Sequence, residues 1–380
     1  MKEYRKIPPV YQDHDKIEIH LDIRSAGAGH KYQMLIKGVG HIKPYYVDML
    51  LDDLYQLNED LREAFQGVVN NKDDQGVINE LAKAGHNAFL KIFEKKARED
   101  LRKLLSYSTN TTIEITTEDF FLPWELLYLE SPEKTVSIDN FLGARYIISR
   151  IIDMLDTPFI GPYITQAIPR LGLLTNNELE FVRSREIPFF DRLNRERRIT
   201  LLKLGILNPD NHQEGMMRFE VFLTNPLDIA HFACHAVGDK KHDLSSMILS
   251  ENFEIKLIDL RSLDTLQMSD NPIVMLNACG TGNINSKYAS FFAKEFLKYG
   301  ARAVIATDCE VPDFLAAEFS EKFYSEFLDG TPIGEALFNT RRYFLDRSNE
   351  LAVLIYSMYG EPMIKIANRQ LVHVTGEQNG

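Results

Sequence analysis

The chain has 380 residues, 44% of them hydrophobic, enough to fill the cores of two domains or of one elaborated domain. Its formal net charge of −12 argues against a nucleic-acid-binding surface, and no apolar run approaches the roughly 20 residues that span a bilayer. An odd number of cysteines (Cys234, Cys279, Cys309) and a charged start, Met1-Lys-Glu-Tyr-Arg-Lys6, fit a soluble protein of the reducing cytoplasm without disulfides or a signal peptide.

Residues 1–15 read as a polar lead-in. Lys16-Ile-Glu-Ile-His-Leu-Asp-Ile23 alternates apolar and polar residues, and Tyr32 to Lys37 does so less strictly; both are expected strands. Pro44 is expected to open a helix carrying Val47, Leu50, Leu51, Leu54 and Leu61. After a polar break from Asn70 to Gly76, one long helix is expected with the seam Phe89, Phe93, Ala97, Leu101 and Leu105. Thr111 to Thr116 alternates again, and Trp124 reads as a core anchor. Pro158, Gly161, Pro162 and Pro169 crowd one span, which divides the chain into residues 1–157 and 158–380.

The second half alternates strands and helices more cleanly. Pro169 to Leu174 is an expected strand, with helical sequence from Asn177 to about Leu223. Leu227 to Asp239 reads as a buried strand entering a turn, with His235 at its end, followed by short edge strands at Ser245–Ser250 and Phe253–Leu257. Ile273 to Leu276 is a continuous apolar run closed by a turn at Gly280 and Gly282, as in a parallel strand covered on both faces. A helix from Ser286 carries Ala289, Phe292, Ala293, Phe296 and Leu297 on one face and stops at Gly300. Ala301–Thr307 is the next strand, then a helix built on Phe319, Phe323 and Phe327. Thr331 and Pro332 restart the chain as N-cap and first helical residue, and Ile364–Ile366 is the last strand.

Cys279 thus falls where a buried strand ends, and His235 ends another. In open α/β sheets ligands bind at the carboxyl ends of the strands, so a thiol and an imidazole are expected to meet across one cleft. A cysteine nucleophile needs a stabilised thiolate, which an imidazole or a helix N-terminus supplies. Taken alone, Cys279 reads as an ordinary buried cysteine; His235, 44 positions upstream, shifts the balance to a nucleophile–base pair. The caspase signature has Gln-Ala-Cys-Gly with its histidine about 50 residues upstream, and Asn277-Ala-Cys-Gly280 departs in having Asn for Gln. His231, Cys234 and His235 are a weak metal set, with no second ligand pair at zinc-site spacing. Gly280-Thr-Gly282 has Asn285 where a dinucleotide loop has its third glycine, and phosphate-loop and Gly-x-Ser-x-Gly motifs are missing. Asp308, Glu310 and Asp313 have two readings: a solvated loop whose Asp313 caps a helix, or a negative pocket for a Lys or Arg side chain. The residues themselves favour the loop.

Ala230-His-Phe-Ala-Cys-His235, Leu276-Asn-Ala-Cys-Gly280, Gly300 to Thr307 and Ser357-Met-Tyr-Gly-Glu-Pro362 together resemble the CHAT-domain proteases, caspase-like cysteine peptidases similar also to separase. Leu122-Pro-Trp-Glu-Leu-Leu127 and Phe141-Leu-Gly-Ala-Arg-Tyr146 resemble that family's upstream half, so the likeness runs from about Thr111 to Ile366. It implies a three-layer α/β/α caspase-like sandwich with a mostly parallel sheet, and an N-terminal α/β half similar to the pseudo-protease lobe of related enzymes. It implies His235 as base, Cys279 as nucleophile, and an oxyanion hole from the backbone N–H groups of Cys279 and Ala236, where caspases have glycine. Glu310 and Asp313 match the family's acidic positions for reading a basic P1 residue (the one before the scissile bond); Asp308 stands where a hydrophobic residue is usual and is held in reserve. The implied function is a cysteine endopeptidase cleaving a protein after Lys or Arg, with no metal or organic cofactor. The family further implies control by an activating sensor or regulatory protein, in bacterial defence or cell death; charge and the lack of a long apolar run argue against nucleic acid or membrane as direct partner. The rival expectation is a catalytically silent scaffold of the same fold that binds a partner protein.

Overall fold

A 13-stranded sheet runs through the computed structural model, which describes residues 17–26, 32–71, 74–107, 111–133, 135–153, 160–176, 178–203, 211–238, 244–263, 265–280 and 287–367. The chain opens with β1 (Ile17–Ser25), β2 (Tyr32–Gly38) and β3 (His41–Val47), paired antiparallel in succession. Helices α1 (Leu51–Asn70), α2 (Gln75–Ile92) and α3 (Lys95–Leu105) lead to β4 (Thr111–Thr117), the short α4 (Leu142–Arg145) and β5 (Ile147–Ile152). Then follow β6 (Tyr163–Ile164), β7 (Arg170–Thr175), a π-helical turn (Val182–Glu186) running into α5 (Ile187–Arg195), β8 (Thr200–Lys203) and α6 (His212–Thr224). The next stretch carries β9 (Ile229–Val237), β10 (Ser246–Ser250), β11 (Phe253–Lys256), α7 (Leu257–Arg261), β12 (Ile273–Gly280) and α8 (Lys287–Lys298). The chain closes with β13 (Ala303–Thr307), α9 (Asp313–Phe327), α10 (Ile333–Ser348), β14 (Tyr356–Gly360) and β15 (Lys365–Ile366), the last paired with β6.

The strand order is β11-β10-β9-β12-β13-β14-β5-β4-β1-β2-β3, with β7 and β8 added beside β9, and the pairing is mostly parallel. Apolar residues of α1, α2, α3, α5, α9 and α10 cover one face in a single cluster. Those of α6, α7 and α8 cover the other face behind β9, β12 and β13. This is the expected three-layer α/β architecture. In the N-terminal strands only one face is buried: Ile19, Leu21 and Ile23 are covered, while His20, Asp22 and Arg24 remain partly open. The expected boundary at Pro158 lies outside the described residues.

The local expectations fail where tertiary position overrides pattern. Pro44 lies in β3, not at a helix start; β3 ends the sheet order, and a proline without an N–H is tolerated on such an edge. The helix begins instead at Leu51, where the Asp53 carboxylate accepts the Leu50 N–H at 3.1 Å. The single long helix is two helices. Phe93 leaves helical geometry to pack edge-on against Trp124, and the Arg98 guanidinium donates to the open carbonyls of Leu90 (3.0 Å) and Phe93 (2.8 Å). Trp124 is fully buried, as expected of an anchor. The helical sequence expected through Leu223 is interrupted by β8, an exposed strand reached after Arg197 takes a left-handed φ of 56°. Pro332, not Thr331, is the N-cap of α10.

Candidate active site

The site is built on β9. Its residues Ile229 to Ala236 pair in parallel with Ile273 to Gly280 of β12, in a register that sets His235 directly beside Cys279 and Ala236 beside Gly280. Apolar side chains make this possible: residues 229–234 and 273–278 are buried, on both faces of the sheet. On its other side β9 changes partner. β7 pairs with it up to Ala233, and antiparallel β10 takes over at His235, opposite Ile248. The sheet therefore forks one residue short of His235, a switch point of the kind at which open α/β sheets bind ligands.

Two residues that the sequence reading missed hold the two sides of this fork. Asn176, fully buried, donates its backbone N–H to Ala233 O (2.7 Å) and its side-chain amide to Ile248 O (3.3 Å), so it ties β7 to β9 and β10 at once. Thr307, at the end of β13, donates its hydroxyl to Ala278 O at 3.1 Å, next to Cys279. Neither carries a motif; their only signal is a polar residue closing an apolar strand. His235 is half-buried and Ala236 buried. Of the polar turns at 239–243 and 280–283, expected to flank the pair, residues 239–243 and 281–283 lie outside the described residues.

His231 shares the strand face of His235 but is no ligand: its Nδ1 exchanges a 3.0 Å hydrogen bond with the Tyr324 hydroxyl in the core. Among the described residues no three His, Cys, Asp or Glu side chains are grouped as metal ligands. Nor is any helix long and apolar enough to cross a membrane among those residues. Cys234 lies on the opposite face and Cys309 beyond β13, both buried. Burial pushes the Cys234 thiol up to about 12 and the Cys309 thiol higher still, so neither carries a thiolate at neutral pH.

The three acidic residues after β13 separate into different surroundings. Asp308 turns inward, within 3.2 Å of the Arg150 guanidinium, and accepts hydrogen bonds from Ser357 and Tyr359 (3.3 Å). Burial raises its carboxyl to about 6 against the pull of Arg150. Glu310 is half-buried; burial raises its carboxyl while the His235 imidazole, across the β12 strand end, draws it back down. Asp313 is half-buried as the first residue of α9 and makes no side-chain cap, since Pro312 is the N-cap. The rings of Phe181, after β7, and Phe314, after β13, meet edge-on at 6.1 Å, so the segments following the flanking strands join over this edge of the sheet. Pro312 and Phe314 also border a cavity of about 640 Å³ shared with Val69, Asn70, Asp74 and Glu350.

Residues 210–363 match the family model of the CHAT domain. The fold is similar to two crystal structures of the Saccharomyces cerevisiae separase–securin complex, one with 10% sequence identity and a TM-score of 0.50, the other with 11% and 0.52. The likeness covers 93% and 92% of this chain but 30% of the matched chain in each case, and at such identity it is a likeness of fold. No curated protein matches.

Proposed function

From the match to the CHAT-domain model over residues 210–363 and a fold similar to separase, we propose a cysteine endopeptidase with Cys279 as nucleophile and His235 as general base. The observation that supports it most is the register setting Cys279 beside His235 at the carboxyl ends of adjacent parallel strands. In the proposed reaction His235 takes the thiol proton and the sulfur attacks the scissile carbonyl. The oxyanion is held by the N–H groups of Cys279 and Ala236. Collapse to a thioester expels the amine, which leaves with the proton from His235, and water activated by His235 then releases the acid.

The preferred P1 residue is Lys or Arg, read first by Glu310 and next by Asp313. Glu310 is a half-buried carboxylate in electrostatic reach of His235, whereas the Asp308 oxygens are engaged by Arg150, Ser357 and Tyr359 and do not serve as the reader. Family resemblance also favours an effector role in bacterial defence or cell death under a regulatory protein; the separase structures themselves contain securin.

The test is turnover of a positional-scanning peptide library, together with iodoacetamide labelling located by mass spectrometry. Cys279→Ala and His235→Ala should each lose several powers of ten in kcat while staying folded. Cys234→Ala and Cys309→Ala should keep most activity. Glu310→Ala should cost roughly 3–5 kcal/mol for a basic P1 and far less for a neutral one. Wild-type turnover by Cys279→Ala would end the dyad reading. A folded wild type that neither cleaves nor labels at Cys279, with or without a partner, would leave the silent scaffold.

A further inference from the structure

Directly beneath the proposed dyad lies a buried hydrogen-bond hub centred on Glu186. This residue ends the π-helical turn after β7 and is 1% exposed. Its Oε1 accepts from the Asn277 amide (2.7 Å) and the Ser320 hydroxyl (2.6 Å). Asn277 also donates to Ala316 O (3.1 Å), and its Oδ1 accepts the Tyr356 hydroxyl at 2.8 Å. The Nε2 of His231 lies 3.4 Å from the same Glu186 oxygen, outside hydrogen-bonding geometry, while its Nδ1 is bonded to Tyr324. The turn itself is pinned to α9 by Arg185, paired with Glu318 and Glu321, and packs Val182 near Ala233.

The placement is what gives the hub meaning. Asn277 is two residues before Cys279 on β12, and His231 is four before His235 on β9, so one carboxylate is hydrogen-bonded to β12 and lies 3.4 Å from a β9 imidazole just below the paired strand ends. Burying a carboxylate costs free energy that an apolar side chain of similar size would not, so packing alone does not explain Glu186. The ladder alone does not fix the strand ends either: the β12–β13 register runs only to Leu276, and β9 exchanges β7 for β10 between Ala233 and His235. Asn277 is also the one position of the Asn-Ala-Cys-Gly stretch that departs from the caspase signature.

We propose that Glu186 and Asn277 are positioning residues that hold the β9 and β12 ends so that the Cys279 thiol and His235 imidazole meet in reactive geometry. The proposal rests on Cys279 being the nucleophile. A π-helical turn suits the role, since such turns displace one residue out of helical register and recur at functional sites.

The experiment measures the rate of Cys279 alkylation by iodoacetamide, and kcat and KM on a fluorogenic peptide with Arg at P1, in the full chain, with folding followed by circular dichroism. Glu186→Ala should lower the alkylation rate and kcat on the order of tenfold to a hundredfold, as expected for a misplaced reacting group, with KM within about twofold. Glu186→Gln keeps an acceptor oxygen and should recover most of the loss. Tyr356→Phe keeps the ring stacked 3.6 Å from Phe319 and removes one hydrogen bond from Asn277, so it should give a smaller fall. If Glu186→Ala does not fold, Tyr356→Phe decides. Folded variants with wild-type kcat and alkylation overturn the positioning role and leave the dyad intact. A wild-type Cys279 no more reactive than glutathione, and no turnover, overturns the protease reading and this role with it.

Discussion

Two buried polar clusters stand a few strands apart in this fold, and they are made of opposite materials. The one at the junction of β14 and β5 is ionic: Arg150 pairs with Glu125 and Asp308, and Arg341 with Glu125 (3.1 Å), all four nearly or fully buried. The one beneath β9 and β12 has a single carboxylate, Glu186, served by neutral amide and hydroxyl donors. The ionic cluster is imperfect, since Arg150 Nε and Nη1 and Arg341 Nε have no hydrogen-bond partner among the described residues. It sits where the sheet is thinnest in pairing: the N-terminal strands join the C-terminal ones through the register Tyr359–Arg150, and the Arg150 guanidinium lies 5.3 Å over the Tyr359 ring. The difference teaches a division of labour. Paired ions are costly to bury and costlier to break, so they suit a junction that must be either fully made or lost. Neutral donors around one acceptor fix direction within narrow limits, which suits the supporting role proposed for Glu186.

The largest effect should come from breaking the ionic cluster. Arg150→Ala leaves Glu125 and Asp308 buried without their shared cation and should cost about 3–5 kcal/mol in urea unfolding. A variant that unfolds at the wild-type urea concentration would remove the junction role and much of the contrast.

Much of the fold was legible in local pattern, as were the strand ends that carry Cys279 and His235, and what was not follows one physical rule. Ile273–Leu276 and Leu227–His235 announce buried strands because a parallel strand covered on both faces needs apolar residues in succession. Their strand-end Cys and His follow from where such strands stop. Pro44 misled because only its place at the sheet edge, set by β2, permits a strand there. Glu186 gave no warning, and Asp308, singled out as a pocket residue, gave none of its ionic role, because their partners are remote: Asn277 lies 91 positions from Glu186, and Arg150 158 positions from Asp308. Local sequence shows that a polar residue is present, and only the tertiary pairing shows what holds it.

A matched pair of hydroxyl deletions sharpens the comparison. Ser357 donates to Asp308 in the ionic cluster, and Ser320 donates to Glu186 in the neutral one. Ser357→Ala and Ser320→Ala remove the same group and should each cost about 1–3 kcal/mol of stability by leaving a buried acceptor short of a donor. Only Ser320→Ala should also slow iodoacetamide alkylation of Cys279. Equal slowing by both would mean that the two clusters act as one.

The smallest effect concerns a pair that is neither buried nor neutral, and it calibrates the other two. His20 on β1 faces Glu114 on β4, its register partner, with Nδ1 3.1 Å from the carboxylate, and Glu18 lies 3.7 Å from its Nε2. The hydrogen bond to Glu114, then that to Glu18, raises the imidazole to about 9 against the opposing effect of partial burial. A histidine whose folded pKa is raised binds its proton more tightly in the native chain, so its contribution is fully present below about 6.5 and is lost as pH rises through about 9. Partial exposure screens the pair, which limits its worth to about 1 kcal/mol or less. The stability difference between wild type and His20→Gln in urea should therefore be present at pH 6 and gone by about pH 10. A difference of equal size at both pH values would assign it to packing on the open sheet face rather than to charge, and would leave burial as the feature that gives the other two clusters their strength.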